Sequence, residues 1–387
     1  MRDVAVIGAG PAGLLAARRL AEAGLDVSVL EEHPAVGRPT HCTGVISLET
    51  AALAKIPDEI ILKRLTHARL LSPGGARCDL RWHGEGSEEI LVIDRDAFDR
   101  ELAEQAAVAG ALIETGARVD GLAVDDDGVS LTVGTRTVKA RAVILACGVS
   151  YRFQRQLGLG LPGRLAHTAQ IEVDAEAADV VELHFGRDVA PDGFLWTVPI
   201  SRGGRPGLKI GVLTRGDAGV CLDRFLARPE VRARLLSTPR RPVRRLLPLQ
   251  PIAKTYAERL LVVGDAGGFT KPTTGGGIYY SLLSASLAVE TLLEAFDEGA
   301  LDEERMSRYE TRWQAELGQE FRVAGWLREF LTGRTDADID RLVRASSSDA
   351  VQAVICRTAR FNRHRGVILA LLREPGIASM LLRSLFR

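Results

Sequence analysis

The chain has 387 residues, 46% of them apolar and 26% charged, which excludes long disorder, collagen and a coiled coil and suits a soluble protein of two or three domains. Fifty basic residues balance fifty acidic ones, so the electrostatic footprint of a nucleic-acid binder is absent. Five scattered cysteines with no Cys-x-x-Cys pair indicate neither a disulfide framework nor a metal site and predict a reducing, cytoplasmic setting.

In chain order, residues 4–7 form a continuous apolar run, as expected of a parallel strand buried on both faces. Residues 11–23 read as an Ala/Leu-rich helix and 27–30 as a second strand, giving a β-α-β unit over 3–31. Phe98, Leu102, Ala106 and Ala109 recur at helical spacing. Residues 143–146 and 260–263 are further buried strands. Between these pieces, 67–93 and 166–215 break into short apolar segments punctuated by Gly, Pro and Asp, the pattern of a sheet. The uncharged run 272–289 is nearly long enough to span a bilayer. It opens on a proline and holds three glycines, which makes it a loop feeding a buried helix. From 303 onward the chain reads as helical, with Tyr309, Trp313, Leu317, Phe321, Ala324, Leu327 and Leu331 stepping by three or four.

The expected fold class is therefore α/β. A discontinuous Rossmann-type domain (1–66, 94–165, 253–302) carries an inserted antiparallel-sheet substrate domain (67–93, 166–252) and a helical C-terminal region (303–387).

The strongest motif is Gly8-Ala9-Gly10-Pro11-Ala12-Gly13, between the first strand and the first helix, with Glu31 and Glu32 at the end of the second strand. Gly8 permits the tight turn, Gly10 lets backbone approach a diphosphate, and Gly13 lets helix and strand pack closely. The diphosphate would sit on the free N–H groups of the helix N-terminus, and Glu31 would accept from a ribose hydroxyl. The same pattern recurs at Gly158-Leu159-Gly160-Leu161-Pro162-Gly163, but no apolar strand precedes it and Pro162 interrupts a helix start. It is expected to be a loop and not a second nucleotide site.

A second element follows the strand ending at Val263: Gly264-Asp265-Ala266-Gly267-Gly268, running into Lys271-Pro272-Thr273-Thr274-Gly275-Gly276-Gly277-Ile278-Tyr279-Tyr280. A carboxylate, a glycine run and a helix start offer an acceptor for polyol hydroxyls beside a dipole that favours negative charge. Two such elements about 250 residues apart would grip the two ends of a long dinucleotide, which argues for FAD.

These motifs resemble the flavoprotein superfamily of p-hydroxybenzoate hydroxylase. Within it, Pro39-Thr40-His41-Cys42-Thr43-Gly44-Val45, the 271–278 segment and Gly193-Phe194-Leu195-Trp196-Thr197-Val198-Pro199 resemble the geranylgeranyl reductase family. The resemblance covers about 1–300 well and the helical tail loosely. It implies FAD-dependent saturation of C=C bonds in a geranylgeranyl or polyprenyl group on a lipid, quinone or chlorophyll-type precursor, by hydride transfer from reduced flavin. It implies that Gly8, Gly10, Pro11, Ala12, Gly13, Glu31 and Glu32 hold the ADP half of FAD, that Arg95 reaches the cofactor, and that Asp265 binds the ribityl chain. Gly275, Gly276, Gly277 and Ile278 would face the pyrimidine edge, with Cys42 near the isoalloxazine. Phe194, Trp196, Pro199, Tyr279 and Tyr280 would line the substrate pocket. The alkene also needs a proton; Cys42 and Tyr279 are the catalytic candidates, with His41 and Tyr280 nearby in sequence.

Two departures keep alternatives open. Flavin hydroxylases of this superfamily carry Asp-Gly where this chain has Cys147-Gly148, which weakens a monooxygenase or halogenase reading and leaves the electron donor open between NAD(P)H and a ferredoxin or other donor protein. The absence of an obvious proton donor supports a non-catalytic, redox-responsive flavin module as a further alternative. Residues 351–387 hold seven arginines, one acidic residue and a set of leucines, so this end reads either as a packed helical cap or as a basic amphipathic surface for the inner face of a membrane.

Overall fold

The computed structural model describes residues 1–40, 42–81 and 89–377. Candidate His41 and the last leucines of the tail lie outside them. Five strands run parallel in the order Leu260–Val262, Arg136–Leu145, Arg2–Ile7, Val27–Leu30 and Leu112–Glu114. The strand Arg2–Ile7 is apolar from Val4 to Ile7 because both its faces are covered there. Val4 and Val6 join one core with Leu14, Leu15 and Tyr280, while Ala5 and Ile7 join another with Leu122, Val129 and Leu131. The second cover is a hairpin, Val119–Asp125 with Gly128–Val133, which pairs onto the early part of Arg136–Leu145.

The helix Pro11–Glu22 starts with proline where its missing N–H is no loss. It packs against the helix Ile278–Asp297, into which the uncharged run leads. Among the described residues no helix is long and apolar enough to cross a membrane.

A seven-stranded sheet runs in the order Val243–Pro248, Leu165–Asp174, Arg205–Thr214, Phe194–Arg202, Val181–His184, His67–Leu71, Arg77–Arg81. It departs from a purely antiparallel sheet at one seam, where Val181–His184 and His67–Leu71 run parallel. These strands come from the two separate insertions, so no hairpin constrains their direction. Residues 90–93, grouped with this sheet in the sequence, instead form the middle of a three-stranded sheet between Val45–Ser47 and Ile61–Leu65.

The helix Glu303–Leu331 buries its stripe from Met306 through Tyr309, Trp313, Leu317 and Phe321 to Ala324; beyond that it emerges, and Leu331 is exposed. Residues 336–346, 349–358 and 365–371 add three shorter helices. The first of them packs Val343 onto Ala76 and Cys78 at the far edge of the large sheet.

Candidate functional site

The glycine loop has the backbone that its spacing implies. Gly8 has a φ of +106°, and a β-carbon there would collide with the Ala146 carbonyl. A β-carbon on Gly13 would collide with the Gly8 carbonyl and stand 3.1 Å from Val6 Cγ1. Gly10 differs: a β-carbon there would meet no further atom of the described residues within 4 Å. The space over Gly10 is open, and no side chain caps the helix that it begins, so first-turn N–H groups face outward. Glu31 is already oriented toward this loop. Its Oε2 accepts from the Ala9 N–H at 2.7 Å, and Oε1 accepts from the His33 backbone at 2.9 Å and lies 2.6 Å from His33 Nδ1. Glu32 next to it is exposed.

The second half of the cradle comes from the other end of the chain. Asp265 sits in a short helical turn after the Leu260–Val262 strand. Its carboxylate has no hydrogen-bond donor among the described residues, and Oδ1 lies where a β-carbon on Gly277 would be only 3.2 Å away. Burial pushes its pKa up to about 6, with the Arg95 guanidinium opposing the rise. Gly277 begins the 20-residue helix Ile278–Asp297, and no side chain caps that N-terminus either. Arg95, at the first position of the helix Arg95–Val108, is buried. Its Nη2 bonds both oxygens of Asp99 at 2.9 and 3.0 Å, while its Nε has no partner among the described residues.

FAD fits these residues. Two uncapped helix N-termini favour a diphosphate at one end and a polar, electron-rich ring edge at the other. The open space over Gly10 and the unpartnered Asp265 carboxylate supply the backbone approach and the hydroxyl acceptor that a dinucleotide needs.

Cys42 lies beside this cradle. Its Sγ accepts from the Gly44 N–H at 3.4 Å, and the Arg95 guanidinium lies close enough to act on it electrostatically. Gly44 has a φ of +74°, and a β-carbon there would press on the Ile93 carbonyl and the Arg95 stem, so the loop turns tightly against the Arg95 segment.

The wall facing the cradle is one face of the large sheet. Strands alternate their side chains, and Phe194, Trp196 and Val198 share a face with their cross-strand partners Leu213, Gly211 and Lys209. Phe194 and Trp196 are in ring contact at 5.7 Å. The Trp196 indole lies over Gly211, and its Nε1 is buried without a partner among the described residues. Trp196 also packs with Leu213 and Leu247, and these two leucines are the atoms that a β-carbon on Gly275 would strike. Gly275, Gly276 and Gly277 are therefore partly accessible, next to an apolar wall.

Three pocket expectations need correcting. Pro199 is paired with Leu208, on the opposite face of its strand from Trp196. The odd-numbered positions of this strand turn toward the core that holds Leu195, Leu208 and Ile210. Tyr280 is core, 1% exposed and edge-on to Phe321 at 5.5 Å. Tyr279 is buried too, and its hydroxyl donates to Glu49 at 2.7 Å. Both tyrosines sit on the first helical turn after Gly277, whose side chains point back into the helix packing and not out to the wall. Burial lifts both phenols above their ordinary value, Tyr279 to about 12 with Glu49 adding to the rise.

Sequence reasoning passed over Lys209, Leu213, Leu247 and Asp99. Lys209 left one signal, a charge between Leu208 and Ile210 in an otherwise apolar strand. The decoy glycines at 158–163 lie in a loop with no helix after them.

A family of FAD binding domains matches residues 1–206. Digeranylgeranylglycerophospholipid reductase 2 of Methanothermobacter thermautotrophicus is 33% identical over 361 residues, 89% of this chain and 91% of that protein. The digeranylgeranylglycerophospholipid reductase of Methanoculleus marisnigri is 31% identical over 372 residues, 90% and 91% of the two chains. Among solved structures, a geranylgeranyl bacteriochlorophyll reductase-like protein from Thermoplasma acidophilum superposes with a TM-score of 0.86 at 24% identity and covers 99% of each chain. The halogenase PltM shares the fold at a TM-score of 0.70 and 16% identity, covering 99% of this chain and 90% of its own.

Proposed function

This chain belongs to the geranylgeranyl reductase family of FAD-dependent oxidoreductases, and from that premise we propose that it saturates C=C bonds of a geranylgeranyl or related polyprenyl group. Relatives named for a digeranylgeranyl glycerophospholipid favour a glycerolipid as the carrier. The observation that carries the reading is the junction at Gly275, where the Trp196–Leu213–Leu247 wall meets the turn at the flavin end of the cradle. An apolar chain laid on that wall would reach the cofactor without crossing water.

Bound FAD, once reduced, supplies the hydride. The glycine loop and Glu31 would hold its adenosine half, Asp265 its ribityl hydroxyls, and the Gly277 helix start its pyrimidine edge. Phe194, Trp196, Leu213 and Leu247 would exclude water and orient the alkene. Hydride addition leaves the second alkene carbon in need of a proton. Cys42, held by the Gly44 N–H beside Arg95, is the candidate donor on the cradle side. Tyr279 is set aside because its buried hydroxyl is engaged as a donor to Glu49 and holds its proton more tightly than a free phenol.

The test is an anaerobic single turnover. Dithionite-reduced protein is mixed with a digeranylgeranyl glycerophospholipid, and flavin absorbance is followed together with product mass. Reoxidation with a gain of two hydrogens per bond is expected. A flavin that stays reduced until oxygen enters, followed by a product with added oxygen or halogen, would sink the reading.

Peripheral contact with an anionic membrane surface completes the proposal. It is supported by a cleft of about 540 Å³ on the C-terminal helices, lined by Arg360, Arg363, Arg365 and Arg373 over Leu369 and Ala370. Arg363 pairs with Glu316, whereas the other three have no carboxylate partner among the described residues. Cosedimentation with phosphatidylglycerol vesicles, and not with phosphatidylcholine vesicles, is the expected result; equal binding to both would exclude the charge-based contact.

A further inference from the structure

Lys209 places an ammonium in the middle of the strand Arg205–Thr214, 3% exposed. A buried charge is unfavourable unless it is paired or well hydrogen-bonded. No carboxylate lies in contact with it among the described residues. Its cross-strand neighbour Glu172 is held by Arg202 instead, through Nε at 2.8 Å and Nη2 at 3.2 Å. The ammonium donates to two main-chain carbonyls across the domain boundary, Thr43 at 2.8 Å and Ile93 at 3.0 Å.

Both carbonyls belong to the cradle. Thr43 follows Cys42, and Ile93 stands two residues before Arg95. The two segments are also tied to each other, since the Ile93 N–H donates to the Gly44 carbonyl at 2.8 Å. Thr43 Oγ1 reaches the sheet a second time, at Gln170 Oε1, 3.0 Å away. Along its own strand, Lys209 is two residues from Gly211, on the face that carries Trp196. One strand thus supports the apolar wall and grips the loop of the thiol.

We propose that Lys209 is a positioning residue whose ammonium clamps the Cys42 loop to the substrate-side sheet, so that the thiol and the Trp196 wall keep one fixed offset. The use of that offset rests on the prenyl-reductase reading; the clamp itself does not. Charged bonds of this kind resist opening more than neutral ones, and each fixes a backbone carbonyl, which holds the loop and not a single rotamer. Glu172, Asp94 and Arg202 are the charges acting on the ammonium; burial lowers its pKa to about 8, with Glu172 and Asp94 opposing the fall and Arg202 adding to it.

The experiment uses the full FAD-loaded chain and two variants. Lys209→Met keeps the length of the stem and removes both donors; Lys209→Arg restores a buried cation. Alkylation of Cys42 by iodoacetamide is followed by peptide mass mapping at pH 7, where the Lys209 ammonium is still charged; loss of a nearby cation by itself lowers the thiolate fraction, so a faster rate reports access. Lys209→Met is expected to raise the Cys42 rate about fivefold or more, the consequence of losing two charged hydrogen bonds. Cys78 and Cys221 keep their rates, and Lys209→Arg stays within about twofold of the parent at Cys42.

In single and multiple turnover, kcat of Lys209→Met falls about tenfold or more while KM changes little, the signature of misplacement rather than lost binding. A Cys42 rate unchanged by Lys209→Met, or an equal rise at Cys78 and Cys221, overturns the clamp. Should Lys209→Met fail to fold, Lys209→Gln is read in its place by the same criteria. The alkylation result stands whether or not a prenyl lipid is turned over, so failure of the reaction assignment is distinguishable from failure of the clamp.

Discussion

Gly211 is bare because Trp196 lies across it: a β-carbon at 211 would stand 2.6 Å from the indole Cε2. The two residues are cross-strand partners in the middle of the large sheet. Gly211→Ala would push the ring off the wall without touching the cradle. The expected outcome is a fall in single-turnover rate of about tenfold or more, with FAD affinity within about twofold of the parent, measured by flavin fluorescence on titration. Loss of FAD binding in this variant would mean that the wall and the cradle are not separable.

The two glycines of the first turn should respond differently to the same added methyl group. Gly13→Ala meets the Gly8 carbonyl and Val6 and should lower the stability of the FAD-free chain by about 1–3 kcal/mol. Gly10→Ala meets nothing among the described residues, so its unfolding midpoint should hold while FAD affinity drops about tenfold or more, because the methyl group enters the space of the diphosphate. Denaturant unfolding and FAD titration of both variants check the contrast.

Asp265 makes cofactor binding pH-dependent. Its pKa in the free chain is about 6, and a ribityl hydroxyl donating to it favours the ionised form. FAD affinity should therefore rise from pH 5 to pH 7 and level off above. Asp265→Asn, which cannot ionise, should bind more weakly at pH 7 and show no slope below it. A parent chain with flat affinity between pH 5 and 7 would exclude Asp265 as the hydroxyl acceptor.

Tyr279→Phe distinguishes a structural from a catalytic phenol. Its hydroxyl serves Glu49, which also accepts from the Asn362 side chain at 2.8 Å. Removing it should lower stability by about 0.5–1.5 kcal/mol and leave the single-turnover rate within about threefold. A loss of two orders of magnitude in rate would return Tyr279 to the list of proton donors.

Glu182 should make the large sheet acid-sensitive. Burial acts to raise its pKa, but the His184 imidazole 3.7 Å away, the hydrogen bonds from Arg234 and Thr197 and the charge of Arg234 outweigh burial and hold it down at about 2. A folded pKa below the unfolded value stabilises above the ordinary carboxylate range and loses that stabilisation as the pH falls toward 2. Glu182→Gln should lower stability at pH 7 and flatten its decline between pH 4.5 and 2, read by urea unfolding at each pH.

The dinucleotide turn, its acidic partner Glu31 and the Asp265–Gly277 segment could all be read from the chain alone. Each is a local device: a tight turn, a close approach or an uncapped helix start demands particular residues within a few positions, whatever else the protein does. The apolar runs of the parallel strands were equally legible, because a strand covered on both faces must be apolar throughout. What the tertiary structure alone decided is which distant residues meet. Pro199 left the pocket because strand pairing set the face on which it stands. Tyr279 left the set of proton donors because Glu49, 230 residues away, came within reach of its hydroxyl. Lys209 gained its role only when Thr43 and Ile93 offered their carbonyls across a domain boundary. Such meetings depend on which strands become neighbours and in what register, a free-energy balance summed over the whole chain; even the isolated charge at Lys209 does not by itself say which carbonyls it meets.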